Sequence, residues 1–269
     1  MPGIAPTDAQ GGILAGEAYL CGTPLLRAHA GTQPDLYLRW NAVPADAAAL
    51  DAVVHLHGFS RAGSAMALAD KVEASGLDLS GRPRPTLALV PRGNWIARNW
   101  YDFPALRAGG LDRLVDYAAA LLRQGIAVDR LVLTAHSGGG MPALDALADA
   151  ARRPDELHVF DGFYGRNPAE GDPFAGLEMI DRWLAERLAQ EPARAGALRV
   201  LYIEAETGPF SRKVGELIGR HLAAAPPALL PALRRRYRVE RAPVQHARIP
   251  RRCSGELLAR ADCEFDWSR

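Results

Sequence analysis

The chain has 269 residues, of which 48% are hydrophobic and 23% charged, the balance of an ordinary globular protein in water. A formal net charge of +1 removes the electrostatic case for nucleic acid or an anionic membrane surface as a partner. No stretch reaches the apolar length of a membrane-spanning helix, and the N-terminus lacks a basic start followed by an apolar run, so a cytoplasmic location is expected.

Pro2, Pro6, Gly11 and Gly12 predict a loose leader over residues 1–15. Residues 36–40, Leu-Tyr-Leu-Arg-Trp, alternate like a strand near a sheet edge. Residues 52–56 and 86–90 are short apolar runs ending in Gly or Pro, as buried strands do. Residues 131–135, 157–160 and 198–203 repeat that form, and 237–240 make a weaker last strand. Helical periodicity lies between them, over 111–123, 142–151, 180–190 and 214–225. The alternation predicts an α/β architecture: a doubly wound, mostly parallel sheet of about eight strands with helices on both faces. The length suits one such unit, so residues 1–269 are read as a single domain.

Arg234, Arg235 and Arg236, with Arg238 and Arg241, read as a solvated helix end and strand flank. Lysine is scarce: Lys71 and Lys213 are the only two. Cys21, Cys253 and Cys263 are an odd, scattered set. Cys253 and Cys263 are a possible pair in an exported protein, but their spacing matches no zinc signature and free thiols are expected. No metal constellation is visible.

The most informative segment is Leu131-Val-Leu-Thr-Ala-His-Ser137-Gly-Gly-Gly-Met-Pro-Ala-Leu144. An apolar run ends at a serine among small residues, and a helix-like stretch follows at once. A strand that turns sharply into a helix holds its corner residue in a strained conformation, with the side chain projecting from the sheet edge. Ala135 and Gly139 occupy the positions two residues either side of Ser137, where only small side chains fit. The alternative is a glycine-rich turn or phosphate cradle after a buried strand. The pattern resembles the nucleophile elbow of the α/β-hydrolase family, with alanine in place of the usual first glycine, and the resemblance in strand order extends over residues 36 to 250.

That resemblance implies a base and an orienting acid for Ser137, because an unassisted serine hydroxyl is a poor nucleophile at neutral pH. His246, a few residues beyond the last predicted strand, stands where the family carries its catalytic histidine. His29 and His221 are expected to face solvent, His158 to be a satisfied strand imidazole, and His136 to point away from Ser137; His55 and His57 alternate along the strand before Gly58. The acid is less direct. The family's usual aspartate position falls on Gly208, leaving Glu206 and Glu204 nearby, while a known variation one strand earlier selects Asp161. Asp161 is favoured, although an aspartate there also serves simply to bond loop amides. The family's oxyanion hole, which needs two preorganised N–H donors, implies the backbone N–H groups of Gly138 and Phe59, the latter in His57-Gly58-Phe59-Ser60.

Trp95, Trp100 and Tyr101, with Phe103, follow the fourth predicted strand, and Tyr164 with Phe163 follows Asp161. Loops at the carboxyl ends of parallel strands face the ligand crevice, so Trp95, Trp100, Tyr101 and Tyr164 are candidate substrate-binding residues; burial to hold the loops in shape is the competing role. Residues 162–190 fall where the family inserts a cap, here a short one. The expected function is a cofactor-free serine hydrolase acting on a small-molecule carboxylic ester through an acyl-enzyme. Amide or peptide hydrolysis by the same residues, or a non-catalytic binding protein that keeps the fold, are the alternatives. A nucleotide site is disfavoured because Ser137-Gly-Gly-Gly lacks the P-loop lysine and the dinucleotide glycine spacing.

Overall fold

The computed structural model describes residues 4–59, 67–96, 100–165, 171–190 and 194–268, with backbone alone at 95–96 and 100–101. Among the described residues ten strands follow in chain order: β1 (Gly16–Leu20), β2 (Leu36–Trp40), β3 (Ala49–Leu56), β4 (Thr86–Pro91), β5 (Asn94–Ile96), β6 (Trp100–Asp102), β7 (Ala127–His136), β8 (Glu156–Phe160), β9 (Ala197–Tyr202) and β10 (Tyr237–Arg241). Eight of them form one sheet in the order β1-β2-β4-β3-β7-β8-β9-β10, and β5 and β6 pair separately as a hairpin. β1 and β2 run antiparallel at one edge. From β4 to β10 every pairing is parallel. The strands β4, β8 and β9 are buried along their whole length, which is why apolar residues fall on both of their faces rather than in alternation.

The helices are α1 (Leu68–Ser75), α2 (Gly110–Leu122), α3 (Gly140–Asp149), α4 (Leu177–Leu188), α5 (Gly208–Ala223), α6 (Leu230–Arg236) and α7 (Ile249–Ala259). The period of two along the strands sends neighbouring residues to opposite faces. Val53 and Val132 pack with Leu68 of α1 and Leu258 of α7 on one face. Val54, Leu131 and Leu133 join Leu114, Leu147, Trp183 and Phe210 from α2 to α5 in the larger core on the other.

Several expectations need correction. Residues 4–15 are not a loose leader. The Asp8 carboxylate accepts the amides of Gln10 and Gly12, and buried Ile13 exchanges backbone hydrogen bonds with Val43 at 2.8 and 2.9 Å. Within residues 162–190, α4 buries Ile180, Trp183 and Leu184 in the core, so this part of the expected cap region covers the sheet instead. β1, β5, β6, α1 and α7 have no counterpart among the expected elements, whereas α6 ends at Arg236, where a helix end was expected. β1 alternates between exposed and half-buried residues at the sheet edge, which weakens its apolar signal. The three cysteines are free thiols, Cys253 and Cys263 buried and Cys21 exposed. No helix among the described residues is long and apolar enough to cross a membrane.

Candidate active site

Central strand β7 ends at His136, and the chain turns through a single 3₁₀ turn, Ser137–Gly139, directly into α3. Ser137 has φ of 51°, in the left-handed region that a β-carbon disfavours. The following glycines are required by close approach. A β-carbon on Gly139 would sit 2.2 Å from the Leu56 carbonyl oxygen, and one on Gly140 would sit 2.0 Å from that of Gly162. The corner is therefore wedged between the ends of β3 and β8, with room for hydrogen alone.

A second left-handed corner stands on the next strand. Asp161, just past β8, has φ of 49°, a region aspartate tolerates better than most residues. Its N–H donates to the Leu201 carbonyl at 2.6 Å. The buried carboxylate accepts from three donors: Ile203 N–H at 3.0 Å, the Thr207 hydroxyl, and His246 Nδ1 at 2.6 Å. Burial alone would raise the Asp161 pKa, but the hydrogen bonds from His246, Thr207 and Ile203 outweigh it and hold the carboxyl below its ordinary value. Because Nδ1 carries the proton shared with the carboxylate, the His246 tautomer leaves Nε2 with a free lone pair.

His246 opens a 3₁₀ turn after β10, just before α7. Its ring packs on the ring of His136 at 4.6 Å between centroids and 34° between planes. Burial lowers the His136 pKa to about 3, with a smaller lowering from its neighbour His246, so it stays neutral. The Ser137 hydroxyl pairs with Tyr164 OH at 3.3 Å rather than with His246, a long O–H···O contact that a competing ligand can displace.

Glu204 forms an ion pair with Arg212, and Glu206 is exposed; neither bonds to His246. Thr207, between them and Gly208, is the residue of that stretch that reaches Asp161, and sequence reasoning missed it. Phe59 N lies 3.4 Å from where a β-carbon on Gly138 would stand, so the two expected N–H donors are neighbours. His29 is buried, not solvent-facing: the Ala105 N–H donates to Nε2 at 3.1 Å and Nδ1 donates to the Arg92 carbonyl at 2.7 Å. His221 is half-buried and bonds Asp181 at 2.8 Å. His158 is fully buried within β8 beside Glu156. Phe103 packs its ring against His57, and Phe163 against Phe210, both in the interior. The side chains of Trp95, Trp100 and Tyr101 lie outside the described residues; their backbones form the β5–β6 hairpin, with Trp95 opposite Tyr101. Among the described residues no cluster of three or more His, Cys, Asp or Glu is arranged to hold a metal ion.

No protein-family model matches the chain, and no curated protein matches it in sequence. Solved structures do resemble it. A ferulic acid esterase is 11% identical, with a TM-score of 0.50 over 92% of this chain and 96% of that one. Mycobacterium tuberculosis MPT51 (FbpC1) is 12% identical, with a TM-score of 0.52 over 92% of this chain and 97% of the other. At such identity the likeness carries the architecture alone. The chain has the α/β-hydrolase fold.

Proposed function

We propose that this chain is a serine hydrolase that cleaves a small-molecule carboxylic ester, with Ser137 as nucleophile, His246 as general base and Asp161 as the orienting acid. One observation carries the reading: the 2.6 Å bond from His246 Nδ1 to a buried, triply bonded carboxylate, beside a serine held at positive φ on a strand-to-helix corner. The printed name of the ferulic acid esterase is in keeping with an ester substrate.

In this reading His246 Nε2 takes the Ser137 proton as Oγ adds to the ester carbonyl. The Asp161 carboxylate fixes the ring and stabilises the imidazolium. The oxyanion is met by the N–H groups of Gly138 and Phe59, the helix that starts at Gly140 adding its positive end. The imidazolium then protonates the departing alkoxide, and water attacks the acyl-enzyme by the same route, returning the acid and Ser137. Tyr164 leaves the serine hydroxyl when substrate enters and lines the site. The domain is single and needs no cofactor for these steps.

The test is a fluorophosphonate followed by intact and peptide mass spectrometry, with a panel of esters and amides assayed in parallel. One adduct per chain at Ser137, with ester turnover, is expected. An adduct elsewhere, or none, overturns the hydrolase reading in favour of a binding protein.

A further inference from the structure

Behind the Phe59 N–H lies a charged group that the chemistry above does not use. Lys71, on α1, is buried, and its ammonium donates to the carbonyl of Gly58 at 2.7 Å and to that of Phe59 at 3.0 Å. The Gly58 carbonyl and the Phe59 N–H belong to one peptide unit. In a planar trans peptide these two groups point in opposite directions. A donor that grips the Gly58 oxygen therefore fixes where the Phe59 N–H points.

The same oxygen accepts a second bond, from His57 Nδ1 at 2.9 Å. The tautomer of His57 is set in turn by Gly93, whose N–H donates to Nε2 at 3.0 Å. On the other side, a β-carbon added to Gly58 would meet Ser137 Cβ at 2.8 Å, so this peptide stands directly against the serine. Turning the peptide over would aim a carbonyl oxygen at the reacting centre and break the Lys71 bond to Gly58.

Placing an ammonium there opposes folding. Burial lowers the Lys71 pKa to about 8, against the smaller effect of Asp70, so its charged form is less favourable in the folded chain than in water. An alkyl side chain would fill the space without that loss. Sites that trade stability for a held geometry are those where function needs it.

We propose that Lys71 is a positioning residue for the oxyanion hole: by holding the carbonyls of Gly58 and Phe59 it aims the Phe59 N–H at the negative charge that develops on the substrate. This rests on the ester-hydrolase reading and adds to it a residue outside the family elbow and the histidine–carboxylate pair. Because preorganised donors act in the transition state more than on bound substrate, Lys71 affects kcat much more than KM.

The experiment compares the full-length parent with Lys71→Met, which keeps length and removes the charge, and with Lys71→Arg, which keeps charge and donors. Lys71→Met is expected to lower kcat about 10²-fold, the scale of losing one oxyanion donor, with KM within about twofold. Its melting temperature is expected to equal or exceed the parent's. Amide exchange over residues 57–59 should speed up, and a trifluoromethyl ketone should lose affinity in step with kcat/KM. Lys71→Arg should recover part of kcat. A folded Lys71→Met with near-parental kcat overturns the proposal, as does a loss of kcat accompanied by an equal loss of melting temperature and of KM. If Lys71→Met does not fold, Lys71→Gln replaces it, and parental kcat with parental exchange at 57–59 is then the overturning result. The parent is first labelled with fluorophosphonate. Absence of a Ser137 adduct there ends the hydrolase reading and this proposal together, whereas a labelled parent leaves the decision to the Lys71 variants.

Discussion

Three imidazoles under the site, His55, His57 and His136, should make the fold sensitive to mild acid. Burial is the main cause in each case, with His57, Lys71 and His246 respectively the next, and each pKa is lowered to about 3. In the unfolded chain the same groups titrate near about 6.5. Between pH 5 and 6 the unfolded chain therefore binds about three more protons than the folded one through these residues. Stability then falls by about 4 kcal/mol per unit of acidification, at about 1.4 kcal/mol per proton. The sign follows from the lowered folded values: the contribution is whole above about pH 6.5 and is lost as pH falls toward 3. Against a typical domain stability of about 5 to 15 kcal/mol this is a large loss. His29, also lowered mainly by burial, steepens it further. Urea unfolding at pH 5.0, 5.5, 6.0 and 7.0 measures the slope. His136→Phe, which replaces a buried ring by an apolar one, should reduce it by one proton, about 1.4 kcal/mol per pH unit. A parental slope of one proton or less, or an unchanged slope in His136→Phe, would refute the reasoning.

The other expectations concern the reacting groups and their supports. Ser137→Ala should abolish fluorophosphonate labelling and turnover while remaining folded, and Ser137→Gly should unfold at higher denaturant than Ser137→Ala, because glycine accepts φ of 51° without a steric cost; equal midpoints would show that the corner stores no strain. His246→Ala should lose several orders of magnitude in kcat, and Asp161→Asn up to about 10⁴. Glu206→Gln and Glu204→Gln should stay within about twofold of the parent, so an inactive Glu206→Gln beside an active Asp161→Asn would reverse the assignment. Gly139→Ala should lower both melting temperature and kcat, since its β-carbon would lie 2.2 Å from the Leu56 oxygen; a parental melting curve would mean that the corner can move.

The strands easiest to read in the sequence were those buried on both sides, because a run such as residues 87–90 is apolar at every position. β1 escaped because its Gly16 and Glu17 carry no such signal at an exposed edge. Ser137, Asp161 and His246 stood out by their positions at strand ends, and the structure brings Asp161 to His246 without any contact to Glu204 or Glu206. Thr207, Lys71 and the His136 ring were hidden for a shared reason. Their roles depend on contacts across 46, 13 and 110 residues of chain, which no local pattern encodes. Lys71 did leave one trace, as one of two lysines in a chain that uses arginine everywhere else.

The carboxylate of Asp161 ties the end of β8 to the loop after β9, through Ile203 and Thr207, and His246 lies beyond β10. The serine corner, by contrast, is framed by β3, β7 and β8, all earlier in the chain. A nascent polypeptide emerging N-terminus first can therefore set the hydroxyl in place well before its base exists. Until the far edge of the sheet docks, that hydroxyl lacks the imidazole base that the proposed reaction requires. In the proposed reaction, hydrolysis therefore waits on the part of the chain that carries His246, the last of the three residues to be made.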